Sequence, residues 1–261
     1  METSEILSLY DRLMRVEVNY PDNTKELLPN GIVRFTKPAP GNNFILYSQL
    51  QPETADAVID EQIAYLQGLN QPFEWKVFDH DQPPDLLQRL MMRGLEPEDP
   101  DAILALELAD APASLTAPVT ADVRRLTTRE QLVDVVTVLE QVWKREFDWI
   151  YDRLGQNLEI PGYISIYAAY DKGLPASVGW IYFHDNHVFT DLWGGSTLPG
   201  TRGHGIYTAV LAIRVQEAIQ RGYQFVTIDA SPMSRKIVET HGFRLLDYAH
   251  ACVWEPKPAA G

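Results

Sequence analysis

The stretch "TLPGTRGHGIYTAVLAIR", Thr197 to Arg214, decides the fold. Three glycines, Gly200, Gly203 and Gly205, crowd an arginine and a histidine. Apolar residues then recur at helical spacing, Ile206, Val210 and Ile213 on one stripe and Leu211, Val215 and Ala218 on another. A glycine-rich turn that feeds a helix aims backbone amides at the helix start, where the dipole also favours negative charge. Such a turn suits an anion, above all phosphate. A nucleotide P-loop does not fit, because it ends in Gly-Lys-Ser/Thr and "GHGIY" has no lysine. A dinucleotide loop does not fit either, because it follows the first strand of a parallel βαβ unit. Here the loop follows an antiparallel meander.

Upstream, "DVRRL" reads as a short strand and "TREQLVDVVTVLEQVW" as a helix opened by Thr128, with Gln131 in capping-box position. A second helix is expected from about Lys144 to Leu158. "YISIYAAY" and "ASVGWIYFH" are β-rich runs joined by the turn "DKGLP", and "HVFTDLWGG" is a third such strand. Downstream come "FVTIDA", a short helix closed by Gly242-Phe243, and "HACVWE". The same order appears earlier in the chain. A helix ends in "AYLQGLNQP", then come "FEWKVF", a helix closed by Gly94-Leu95, and "AILALEL". Gly at both helix ends is a C-cap signal. Between the copies, "ADAPASLTAPVTA" has no apolar period and reads as a linker. The expected domains are therefore 1–110 and 122–261, joined by 111–121.

The 261 residues are 45% hydrophobic, enough for a proper core. The single cysteine, Cys252, excludes internal disulfides and a cysteine-based metal cage, and with no paired-His helix motif no metal is expected. The N-terminus lacks a basic start and an apolar signal core, and no apolar run approaches a membrane span. A cytoplasmic protein without a membrane partner is expected. The first 110 residues carry 8 Lys and Arg against 20 Asp and Glu, within an overall net charge of −14. Nucleic acid is excluded as a partner, since phosphate-backbone affinity needs clustered cations. The acidic half is either a solvated surface or a steering field for a cationic amine.

"RGHGIY", set between the meander and strand, helix, "HGF" and strand, resembles the GNAT acyltransferase superfamily, whose signature is Arg/Gln-x-x-Gly-x-Gly/Ala. Arg202, Gly203, Gly205 and Ile206 match, while Tyr207 replaces the last small residue. The similarity covers about Ala121 to Glu255. It implies an α+β (mixed α/β) protein of two GNAT-like domains, each a mostly antiparallel sheet flanked by helices. It further implies acetyl-CoA as co-substrate, with the pyrophosphate held at Arg202, Gly203, His204, Gly205, Ile206 and Tyr207. His204 falls at the variable position and is expected to face solvent. By the same resemblance the pantetheine arm lies between splayed fourth and fifth strands, against the main chain of Gly195, Ser196 and Thr197. Ser231 stands where an Asn commonly bonds that arm. The first half resembles a degenerate copy. Aligning Gly68 with Gly222 puts the glycine-free "SQLQPET" at the loop position, where Glu53 would repel phosphate. That half is expected to bind no CoA and to act as scaffold or as one wall of the acceptor site.

Acetyl transfer to an amine requires loss of a proton from the amine, stabilisation of an oxyanion and a proton for the thiolate. The family's transfer is direct, so Cys252 is expected as buried structure. The tyrosine that often protonates the thiolate corresponds to Val238, so the usual acid is absent. Asp191, on the fourth strand where family members often place a carboxylate, is the first candidate base. Glu146 is the second. The competing readings are a strand acid bonded to a neighbouring loop and a solvated helix residue. His184 and His187 flank the Asp-Asn turn and read as turn residues. His187, Phe189 and Asp191 share one face if the strand alternates from His187. Trp143, Phe147, Trp149, Tyr151 and Tyr163 could grip an acceptor or fill the core. The expected activity is acetyl-CoA-dependent N-acetylation of a small-molecule primary amine by a monomer or homodimer. The alternatives are a non-catalytic CoA-binding or sensor protein and an enzyme acting on a protein or peptide amine.

Overall fold

The structure, a computed structural model, describes residues 1–39 and 41–256. Helix α1 (Thr3–Tyr10) runs into a π-helical turn at Asp11–Val16. Strands β1 (Thr24–Leu27), β2 (Ile32–Thr36) and β3 (Asn43–Ser48) follow, then α2 (Ala55–Gly68), β4 (Phe73–Phe78) and α3 (Leu86–Met91). Next come β5 (Glu96–Pro97), β6 (Asp101–Glu107), the short α4 (Ala113–Thr116) and β7 (Val123–Leu126). Helices α5 (Leu132–Trp143) and α6 (Trp149–Leu158) precede β8 (Ile164–Asp171), β9 (Leu174–Phe183) and β10 (Phe189–Thr197). The chain closes with α7 (Ile206–Gln220), β11 (Phe225–Ala230), α8 (Pro232–Glu239) and β12 (Arg244–Trp254). Among the described residues no helix is long and apolar enough to cross a membrane.

Two compact units result. The first comprises Met1–Ile103, Ala230–Pro232 and the chain from Leu245 onward; the second comprises Leu104–Asp229 and Met233–Arg244. These differ from the expected 1–110 and 122–261 in one main respect: β12, foreseen in the second domain, pairs antiparallel with β4 from Ala249↔Phe78 to Trp254↔Phe73. The expected linker is also ordered. Pro112 starts a helical turn in which Leu115 is fully buried, and Gln216 donates to the carbonyls of Leu115 and Ala117 at 2.9 and 2.8 Å. A single well-placed leucine anchors a stretch that shows no apolar period.

In the first unit, β1, β2 and β3 are antiparallel and β3 pairs parallel with β4. Phe73, Trp75 and Val77 alternate onto a core with Ile59, Ile63 and Leu66 of α2 and Leu86 and Leu90 of α3. In the second unit, β7, β8, β9 and β10 form the antiparallel meander, and β11 runs parallel to β10. The β8–β9 turn has left-handed φ at both Lys172 (51°) and Gly173 (81°), the two-residue hairpin geometry that matches strand twist. Helices α5 and α6 cover one face of this sheet, burying Val135, Leu139, Ile150 and Leu154 against Val178, Trp180 and Tyr182. Helix α7 covers the other, with Val210 against Tyr167 and Ala169.

Two helix boundaries shift. Thr127 and Thr128 amides both donate to the Gln131 side chain, at 2.7 and 3.1 Å, so Gln131 caps the turn before α5, which starts at Leu132. The second helix starts at Trp149 rather than near Lys144. Lys144 ends α5 with φ 57°, and the Glu140 carboxylate accepts the Phe147 amide at 3.2 Å, fixing the intervening residues as a turn.

Candidate cofactor and acceptor site

Parallel pairing of β10 with β11 runs from Phe189↔Phe225 to Leu192↔Ile228 and then stops, although β10 continues to Thr197. Its pairing with β9 shifts register between Trp193 and Ser196. Gly194 makes this bulge, with φ 66°, and a Cβ there would lie 1.8 Å from the Trp180 ring. Only glycine satisfies both constraints. The bulge turns the end of β10 away from β11, so the fourth and fifth strands of this unit splay. Gly195, Ser196 and Thr197 lie on the splayed segment. Ser177 fixes them from β9, donating to the Ser196 carbonyl at 3.0 Å and meeting the Thr197 hydroxyl at 2.8 Å.

The glycine loop follows directly. Gly203 (φ 80°) and Gly205 (φ 74°) are both left-handed, and a Cβ on either would meet nothing within 4 Å. Gly205 is the N-cap of α7 and supplies no side-chain cap. Among the described residues, the amides of Gly203, His204 and Gly205 have no hydrogen-bond acceptor. Together with the unpaired first-turn donors of a 15-residue helix, they form a concave, positively polarised nest. Arg202 is tied back by Nε to the Thr197 carbonyl at 3.2 Å, joining the loop to the end of β10. His204 is exposed, as expected of its position. Ile206 and Tyr207 open the helix. A pyrophosphate fits this donor set.

Tyr207 turns inward, where a Cβ on Gly195 would lie 3.4 Å from its Cε2. Beside it is a residue that the sequence reading missed, marked there only by being a cation four positions after Val210 in α7. Arg214 is fully buried and bonds carbonyls alone: Val210 through Nε at 2.9 Å, and Trp180 and Trp193 through Nη1 at 3.2 and 3.3 Å. The Trp193 carbonyl belongs to the bulge, so the arginine braces the splay from beneath.

Asp191 pairs with Tyr182, and Trp193 with Trp180, which places both on the α5–α6 face. The Asp191 carboxylate is engaged twice, by His184 Nε2 on Oδ1 and by the Trp193 indole N–H on Oδ2. His184 is a buried member of this pair rather than an ordinary turn residue. His187 does belong to the turn: it has φ 53°, and β10 starts two residues later, outside any alternation with Asp191. Around β10 on this face, Arg153 lies over the rings of Trp149 and Trp193, 6.0 and 5.5 Å from their centroids. Trp143 donates to Ser196 Oγ at 3.1 Å. Trp143 and Trp149 are about half exposed, whereas Phe147 is core. Tyr151 and Tyr163 pack at its margin.

Glu146 sits exposed on the α5–α6 turn. Ser231 lies between β11 and α8, in the stretch grouped with the first unit. Val238, at the position of the missing acid, is fully buried.

The first unit has a counterpart to the splay, filled by its own side chains. Pairing of β3 with β4 stops at Ile45↔Trp75. Beyond it, Arg15 Nε donates to the Leu46 carbonyl at 3.1 Å, Trp75 to Ser48 Oγ at 3.2 Å, and the Leu50 amide to the Gln82 carbonyl at 3.0 Å. Arg15 is itself fully buried and holds Asp81 through two bonds of 2.9 and 2.7 Å.

No family model matches the chain, and no curated protein matches it in sequence. Solved structures do match it. The GCN5-related N-acetyltransferase from Kribbella flavida superposes with a TM-score of 0.71 at 13% identity, over 99% of this chain and 97% of that one. The tandem GNAT protein from the clavulanic acid biosynthesis pathway gives 0.59 at 13% identity, over 95% and 88%. The GCN5-related N-acetyltransferase from Sphaerobacter thermophilus gives 0.57 at 13% identity, over 87% and 78%. The chain therefore has the GNAT acetyltransferase fold.

Proposed function

We propose that the chain is an acetyl-CoA-dependent N-acetyltransferase that acylates the primary amine of a small molecule. The observation that carries this reading is the row of acceptorless amides at Gly203, His204 and Gly205, placed just beyond a strand splayed by the Gly194 bulge. Those amides, with Arg202 and the first turn of α7, would hold the pyrophosphate. The main chain of Gly195, Ser196 and Thr197 would hold the pantetheine arm. Acetyl-CoA, when bound, supplies an activated acyl group. The Asp191–His184 pair takes the proton lost by the amine, directly or through water, and Trp193 fixes the carboxylate. Trp143 and Trp149 shape the acceptor side. The first unit, with Arg15 in its own splay, is read as a degenerate copy that binds no CoA.

The test is calorimetric titration of acetyl-CoA into the wild type and into a Gly203→Glu, Gly205→Glu double variant, followed by transfer assays with a panel of amines. Binding lost in a folded variant supports the loop as the site. No binding to the wild type would overturn the reading. A second reading, a CoA-binding protein without transfer activity, draws on one observation: the usual acid position is a buried valine, Val238. Acetyl-CoA binding with no transfer to any amine favours it.

A further inference from the structure

Arg214 is a buried cation without a counter-charge. It is 1% exposed, and among the described residues no carboxylate pairs with it. Carbonyls of α7, β9 and the bulge account for its Nε and Nη1, but Nη2 has no acceptor among the described residues. Burial holds its pKa down at about 10, partly offset by Tyr207 and Tyr167, so it is still charged at neutral pH. A desolvated cation left unpaired is costly, so the open Nη2 calls for an anionic partner.

The direction of Nη2 says where that anion sits. A Cβ on Gly195 would lie 3.9 Å from Arg214 Nη2 and 3.9 Å from the Tyr207 hydroxyl. Both donors therefore converge on one point, the place beside Gly195 where a side chain would begin. That point lies at the inner end of the splay. Thr197 marks the outer end, tied by Arg202 to the phosphate nest, and Gly195 and Trp193 lie progressively deeper along β10. A ligand with its pyrophosphate on the nest and its arm along β10 has its sulfur at the inner end.

We infer that Arg214 and Tyr207 form a thiolate subsite, in which guanidinium Nη2 and the phenolic O–H hold the CoA sulfur as an anion. This rests on the acetyl-CoA reading. The subsite supplies, from a different helix, the stabilisation that Val238 cannot give. The other ionisable groups around it are already engaged. Tyr167 donates to Glu217, Glu217 is further held by Ser165 and Arg221, and Asp191 with His184 lies on the opposite face of β10.

The test compares CoA with desulfo-CoA by calorimetry from pH 6.5 to 9. The phosphates are common to both ligands, so their titration cancels in the ratio of affinities. A thiolate subsite depresses the pKa of the bound thiol, so the gain is present above the free value of about 8.5 and fades as pH falls through the bound value. CoA is expected to bind about as well as desulfo-CoA at pH 6.5 and about 10-fold more tightly at pH 9. Tyr207→Phe, which keeps the main-chain amide of the first turn of α7, should cut that advantage several-fold. If both ligands bind and their ratio is flat with pH in the wild type, Arg214 merely braces the bulge and the inference is wrong. If neither binds, the acetyl-CoA reading itself falls, and the subsite with it.

Discussion

His184 Nε2 and Asp191 Oδ1 are hydrogen-bonded across the turn that joins β9 to β10, and both side chains are largely withdrawn from solvent. The pairing gives a strand carboxylate a second titratable group at contact distance, the arrangement of a base with an orienting partner. Asp191→Asn is expected to lower turnover roughly a hundredfold with acetyl-CoA affinity unchanged. Unchanged turnover in a variant that still binds the co-substrate would remove Asp191 from the mechanism.

Gly194 and Gly203 share a left-handed backbone but differ in what surrounds them. Alanine at 203 meets open space and should cost about 1 kcal/mol of backbone strain. At 194 it would also strike the buried Trp180 ring, and the loss should reach about 3 kcal/mol or more. Urea unfolding midpoints of the two variants measure the difference, and equal midpoints would contradict the bulge geometry.

Cys252 is fully buried, and burial, with Glu74 adding, pushes its thiol up to about 12. At pH 7.5 it should react with Ellman's reagent at least about a thousandfold more slowly in the native protein than in urea. Rapid labelling of the native protein would place β12 elsewhere.

In the first unit, His80 bridges Asp11 and Asp247 at 2.7 and 2.5 Å, and the bond to Asp11, then that to Asp247, raises its pKa to about 10. Burial pushes the Asp11 carboxyl up, but His80 and Arg15 outweigh it and hold the carboxyl below its ordinary value. The stability that protonated His80 contributes is complete below about pH 6.5 and disappears as pH rises toward 10. Denaturation between pH 7 and 10 should show a decline in the wild type that is weaker in His80→Gln. Equal slopes would mean the imidazole is not charged in the folded protein.

What the sequence made legible is local. "FEWKVF" and "FVTIDA" coincide with β4 and β11, and the paired glycines at 203 and 205 announced their backbone by residue type alone. Lys144 was not legible as a helix end, because a left-handed lysine carries no mark in sequence and depends on Glu140 reaching the Phe147 amide. His184 looked like any residue beside a turn, since its partner is set by strand register. Arg214 did leave a sign, a cation four residues from Val210 on an apolar stripe, but its guanidinium fits only because Gly179 leaves room for it. Ser231 rests on motif position alone.

Strand β12 completes the sheet of the first unit, bonded to β4 through residues 249–254. A ribosome makes β4 some 170 residues before that partner strand exists. During synthesis the edge of β4 stays open while the whole glycine-loop unit emerges and can fold. Synthesis of β12 is thus the event that allows the first unit to close. An amino-terminal fragment ending at residue 110 would keep that edge bare, so it should self-associate or fall to proteolysis, and adding a peptide of residues 244–256 in trans should rescue it.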